Sequence, residues 1–94
     1  MKIHVRLVEL QLYMPNIGSQ ADVQKGLGRL KHHLKGQSQV ACSVAPYQEP
    51  DRVTLALTIT GYQKTNVEQE SQRLLEWIDS SLEGQTLSSQ MVWL

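Results

Sequence analysis

The sequence predicts an α+β fold of the ferredoxin-like type, βαββαβ, in which a four-stranded antiparallel sheet carries two helices on one face. Two observations predict it. Apolar residues recur with period two, then with period 3.6, twice more with period two, again with period 3.6, and finally with period two. Between these stretches stand Pro15-Asn16-Ile17-Gly18, Gly36, the run Pro46 to Asp51, Gly61 and Gly84, the residues that end helices and turn chains. At 94 residues the chain fits one hydrophobic core, so residues 1–94 are expected to form a single domain.

The first strand holds Ile3, Val5 and Leu7 at odd positions, then Val8, Leu10, Leu12 and Met14 at even ones. Side chains alternate strictly along a strand. The switch between Leu7 and Val8 therefore implies either a β-bulge or a strand that shows one apolar half to each face of the sheet. Ser19 and Asp22 have the form of a helix N-cap with an acidic residue in the first turn. Val23, Leu27, Leu30 and Leu34 follow at helical spacing, and Gly36 fits the C-terminal end, with Lys31, His32, His33 and Lys35 placed to meet the negative end of the dipole. Gly26 and Gly28 each cost about 1 kcal/mol relative to alanine inside a helix, and either close packing against the sheet or mere tolerance is the expected reason for them.

Val40, Cys42 and Val44 alternate in the second strand, and Val53, Leu55, Leu57 and Ile59 in the third, joined by a hairpin loop from Pro46 to Asp51. Thr65 and Glu68 match a capping box for the second helix, whose buried stripe is Val67, Leu74, Leu75, Ile78 and Leu82, with Trp77 at its margin. Leu87, Ser89, Met91 and Trp93 alternate in the last strand.

Nine basic and nine acidic residues cancel, so net charge gives no reason to expect nucleic acid or membrane as partner. Their distribution is uneven. Six basic residues face two acidic ones up to Pro46, and three face seven beyond it, which makes the first helix basic and the second acidic. A lone cysteine, Cys42, forms no internal disulfide and points to a reducing, cytoplasmic setting. No apolar run approaches the roughly 20 residues that cross a bilayer, and the charged start Met1-Lys2-Ile3-His4-Val5-Arg6 does not resemble an export signal. A soluble protein without membrane contact is expected.

No residue set calls for catalysis, a cofactor or a metal. His32 and His33, adjacent on a helix, point about 100° apart and cannot clamp one ion from a single face, so a solvated helix end is expected there. Cys42 keeps the phase of Val40 and Val44, the place of a small buried residue, with no base beside it in the strand pattern. A non-catalytic module is the outcome. Its first candidate site is an interface for a homo-oligomer, expected to be a dimer. The last strand lies beside the first in this fold, so Met91, Val92, Trp93 and Leu94 come near Ile3, Val5 and Leu7, with apolar residues in both phases that one small domain cannot bury. A second candidate is a phosphate contact through Lys25, Arg29, Lys31 and Lys35, for RNA or the ribosome. A third reading is an amino-acid-sensing regulatory domain using backbone N–H groups near Gly18.

The strand end Leu12-Tyr13-Met14-Pro15, Ser19 with Leu27 and Leu30, Val40-Ala41-Cys42-Ser43, Tyr47-Gln48-Glu49 before Arg52, Glu70-x-Gln72-Arg73-Leu74 leading to Ile78-Asp79-Ser80, and Val92-Trp93-Leu94 together carry a likeness. Along nearly its whole length the chain resembles the YlxP-like family of small bacterial proteins of unassigned activity. That resemblance implies the ferredoxin-like fold, a cytoplasmic location and no known cofactor, and, because family members are often encoded among translation-initiation and ribosome-maturation factors, a connection with RNA or the ribosome. The chain departs from the family pattern at Ser19 to Gln24, where a basic cluster is replaced, at Val44, where the family has glutamate, and at Asp51-Arg52, where a tryptophan-glutamine-arginine turn is shortened.

Overall fold

Alternation in the strands and 3.6-residue spacing in the helices produce β1 (His4–Tyr13), α1 (Gln20–Gly26), α2 (Gly28–Leu34), β2 (Val40–Val44), β3 (Arg52–Gly61), α3 (Lys64–Ser81) and β4 (Gln85–Trp93). These come from a computed structural model, which describes residues 1–94. The four strands form one antiparallel sheet in the order β2-β3-β1-β4. Its core combines Val8, Leu10 and Leu12 of β1 with Val53, Leu55, Leu57 and Ile59 of β3, under Val23, Leu27 and Leu30 from the first helical segment and Val67, Leu74 and Ile78 of α3. Ser71 is the one polar residue buried among them, and its hydroxyl donates to the Val67 carbonyl at 2.7 Å. That bond satisfies the group inside its own helix.

Three helices replace the two expected. The first is interrupted at Leu27, whose φ of −96° and ψ of 6° leave the helical range. Glycine on each side, at 26 and 28, makes this the weakest point of the segment. Hydrogen bonding still runs through it, from Leu27 N–H to the Val23 carbonyl and from Lys31 N–H to the Leu27 carbonyl. The two glycines differ in cause. A Cβ at Gly26 would stand 3.2 Å from both Ile17 Cδ1 and Met14 Cε, whereas one at Gly28 would meet nothing within 4 Å.

The N-cap of α1 forms as its residues require: Ser19 Oγ accepts from Asp22 N–H at 3.2 Å and Asp22 Oδ2 accepts from Gly18 N–H at 2.9 Å. At α3 the expected capping box at Thr65 does not form. Gln63 is already extended and serves as N-cap without a side-chain bond, so the helix starts at Lys64 and Thr65 lies inside its first turn.

Pairing of β1 with β3 runs without a slip from His4 opposite Gly61 to Tyr13 opposite Arg52. There is no bulge at Leu7–Val8, and β1 shows one apolar half to each face. The irregularity lies across the other edge of β1. Gln11 faces Ser88 while Leu12 faces Thr86, which leaves Leu87 as an extra residue, 42 % exposed. Leu87 therefore drops out of the alternation expected with Ser89, Met91 and Trp93.

Asp51, with φ of 60°, joins the hairpin loop to the β1–α1 connection. Its carboxylate accepts from Ile17 N–H at 3.1 Å, its own N–H donates to the Ile17 carbonyl at 2.8 Å, and its carbonyl accepts from Met14 N–H at 3.1 Å. Gly84, at φ +125°, turns the chain into β4 so close to β1 that a Cβ would overlap the Tyr13 carbonyl oxygen. No helix is long and apolar enough to cross a membrane. Urea unfolding is expected to show Gly84→Ala destabilised by at least about 2 kcal/mol and Gly28→Ala unchanged or stabilised by about 0.5 kcal/mol, the usual gain where glycine holds an ordinary helical conformation.

Candidate functional site

Each strand of the sheet has a helix side and an open side. From Val8 onward the even-numbered residues of β1 are buried beneath the helices, whereas His4 and Arg6, in the same register, are only half-buried. The odd-numbered residues Val5 and Leu7 point to the open side, beside Thr58 and Thr60 of β3 and Val92 of β4. Leu94 donates its N–H to the Val5 carbonyl at 2.9 Å and continues the same edge. Val92 is 49 % exposed, Ile3 48 % and Leu94 74 %, so these residues form an uncovered apolar patch.

Five of the seven residues expected at an interface, Ile3, Val5, Leu7, Val92 and Leu94, therefore gather at this end of the sheet. Met91 and Trp93 do not join them. They pair with Val8 and Arg6 and project to the helix side, because neighbours along a strand alternate.

Trp93 instead stands among cations. The Arg6 guanidinium lies 4.9 Å and the Lys64 ammonium 5.1 Å from its ring centre, and the His4 ring meets it edge-on at 6.3 Å. Arg6 Nε is buried with no hydrogen-bond partner. This cluster escaped the sequence reading, although half of its signal is local: Lys2, His4 and Arg6 alternate with Ile3, Val5 and Leu7, so basic residues occupy the phase that apolar ones take farther along. Lys64 and Trp93 are distant in sequence and carry no such signal.

The four basic residues of the first helical segment are dispersed. Arg29 donates to the Ser81 carbonyl at 2.9 Å, where it answers the C-terminal end of α3. Lys31 donates to Gln24 Oε1. Lys25 borders a groove of about 450 Å³ that it shares with Arg29 and with the opposing charges of Asp22 and Glu83. Lys35 is exposed at the C-cap of α2. Nearby, His32 is exposed but His33 is not the solvated residue expected. Its ring stacks on Trp77 with centroids 3.9 Å apart and an interplanar angle of 11°, which ties α2 to α3.

Cys42 faces the helix side opposite Leu57 and is half-buried. Burial raises its thiol pKa from the ordinary 9.0, against a smaller downward pull from the positive charge of Lys31. No three His, Cys, Asp or Glu side chains stand close enough together to hold a metal ion.

Comparison with protein-family models, with curated proteins and with solved structures finds no match to this chain.

Because the native Cys42 thiol ionises at higher pH than the unfolded one, the unfolded chain loses this proton first as pH rises. The corresponding stability is whole below pH 9.0 and is lost as pH climbs through the raised native value. Denaturant unfolding across that window is expected to fall less steeply with pH for Cys42→Ala than for the natural chain. At pH 8 a disulfide reagent is expected to modify Cys42 several-fold more slowly in the folded protein than in urea.

Proposed function

We propose that this chain is a non-catalytic binding module that associates with a second copy of itself through the open side of its sheet, centred on Val5, Leu7, Val92 and Leu94. The observation that carries this reading is the apolar patch in which exposed Ile3, Val92 and Leu94 border half-buried Val5 and Leu7. Beside it the open side presents small residues, Ala41, Ser43, Ala56, Thr58 and Thr60, on which another sheet packs without obstruction. Glu9 and Arg52, opposite in sign, are the charged side chains that the strands place there, so a second copy meets no net repulsion. Strands of about 3.3 Å per residue, spaced about 4.8 Å apart, make this face on the order of 600 Å². That approaches the roughly 800 Å² per partner of a standard interface. A two-fold arrangement, patch on patch, is the simplest closed assembly.

The topology that supports this placement is ferredoxin-like in our reading, with α1 and α2 as one helix interrupted at Leu27. The order β2-β3-β1-β4, with β4 beside β1, favours it. A cytoplasmic setting and divergent membership of the YlxP-like family belong to the same proposal. The unpaired Cys42 supports the first, and the residues quoted for the resemblance support the second.

Sedimentation equilibrium at micromolar concentration is expected to give twice the 10.6 kDa mass of the chain. Val92→Glu is expected to weaken the dimer at least about tenfold, since a charge would be desolvated at its centre. Leu87→Glu, comparably exposed but outside the patch, is expected to leave it intact. A monomer throughout the micromolar range would contradict the proposal.

A further inference from the structure

We propose that His4, Arg6 and Lys64, gathered around Trp93 on the helix side of the sheet, form a binding site for a phosphate-type oxyanion. The argument begins with unbalanced charge. Two full positive charges stand 4.9 and 5.1 Å from one indole centre, hence within about 10 Å of each other, and an imidazole adjoins the same ring. Neither cation is in an ion pair, since the chain's one ion pair joins Arg73 to Glu70. The first turn of α3, which carries Lys64, holds no acidic residue.

An indole attracts cations through its quadrupole but carries no net charge to cancel theirs. It therefore holds the two cations together with their positive charge available to a third group. Arg6 enters the cluster from β1, where pairing with Ile59 on one side and Trp93 on the other sets its position, and its Nε is buried with no acceptor of its own.

The chemistry of the set selects the ligand. A guanidinium and an ammonium held by the same ring suit an oxyanion with several acceptor oxygens, and more than one positive charge favours a multiply charged ion over a monocarboxylate. The Trp93 ring is already attended by Arg6 and Lys64, so it is an anchor for the cations and not a stacking platform for a base. The ligand is thus recognised by its phosphate, carried either by a free small molecule or by the backbone of a nucleic acid.

Trp93 reports on its own site. In a Trp77→Phe background at low ionic strength, pyrophosphate is expected to change the indole emission saturably, and acetate at equal ionic strength to give no saturation. Arg6→Gln and Lys64→Gln are each expected to weaken binding about tenfold, the loss of one charge-assisted contact. A single-stranded oligonucleotide forms the second arm. Binding of it that is equally sensitive to both variants assigns the phosphate to nucleic acid, and binding of pyrophosphate alone assigns it to a small molecule. Thermal unfolding of the natural chain supplies an independent readout, with a rise in Tm on adding pyrophosphate that needs about tenfold more pyrophosphate in Lys64→Gln, altered only at an exposed position. Absence of saturable binding in both arms, or binding unchanged in both variants, would overturn the proposal.

Discussion

Both surfaces proposed for recognition depend on the unbroken ladder between β1 and β3. Ten pairs, from His4 opposite Gly61 to Tyr13 opposite Arg52, determine which side of the sheet each β1 residue occupies. A slip of one residue would carry Val8, Leu10 and Leu12 out of the core and put Glu9, Gln11 and Tyr13 in their place. Burial of each such aliphatic side chain is worth about 1.5–3 kcal/mol, so the register is held strongly in the covered half of the strand. The uncovered half inherits that register. His4 and Arg6 are consequently held on the helix side and Val5 and Leu7 on the open side, whatever their own preferences.

The result is two chemically different surfaces back to back at one end of a single layer. Sequence neighbours one residue apart serve opposite sides: Val92 and Leu94 border the apolar patch while Trp93 between them anchors the cations. In the proposed account, association with a second copy uses one side and an oxyanion the other, and neither obstructs the other. The basic residues of the first helical segment have a different part. Arg29 and Lys31 are engaged within the fold, and Lys25 faces carboxylates across its groove, so little of that positive charge is concentrated on one surface.

Much of the fold was legible because burial imposes periodicity. Val53 to Ile59 on β3, Val23, Leu27 and Leu30 across the helix break, and Val67, Leu74 and Ile78 on α3 occupy the core in the phase their spacing predicts, while Leu34, Leu75 and Leu82 pack half-buried against it. The switch between Leu7 and Val8 was equally visible, but a bulge and a two-faced strand write the same pattern. How far the helices reach over β1 decides between them, and that is a long-range property. Local competition explains other differences. Flanking glycines break the helix at Leu27, an extended Gln63 takes the cap from Thr65, and the extra Leu87 shifts the phase of β4. The His33–Trp77 stack joins residues from two helices, so no periodicity announces it. The cluster around Trp93 was half visible, in the alternation of Lys2, His4 and Arg6, but Lys64 and Trp93 reach it only through the packing of α3 and the pairing of β4.

Nuclear Overhauser contacts between β1 and β3 test the central claim most directly. The account predicts cross-strand backbone contacts that follow one register from His4–Gly61 through Leu7–Thr58 and Val8–Leu57 to Tyr13–Arg52. Contacts that shift by one residue between Leu7 and Val8 would contradict it, because His4 and Arg6 would then leave the side occupied by Trp93 and the apolar patch would lose Val5 and Leu7.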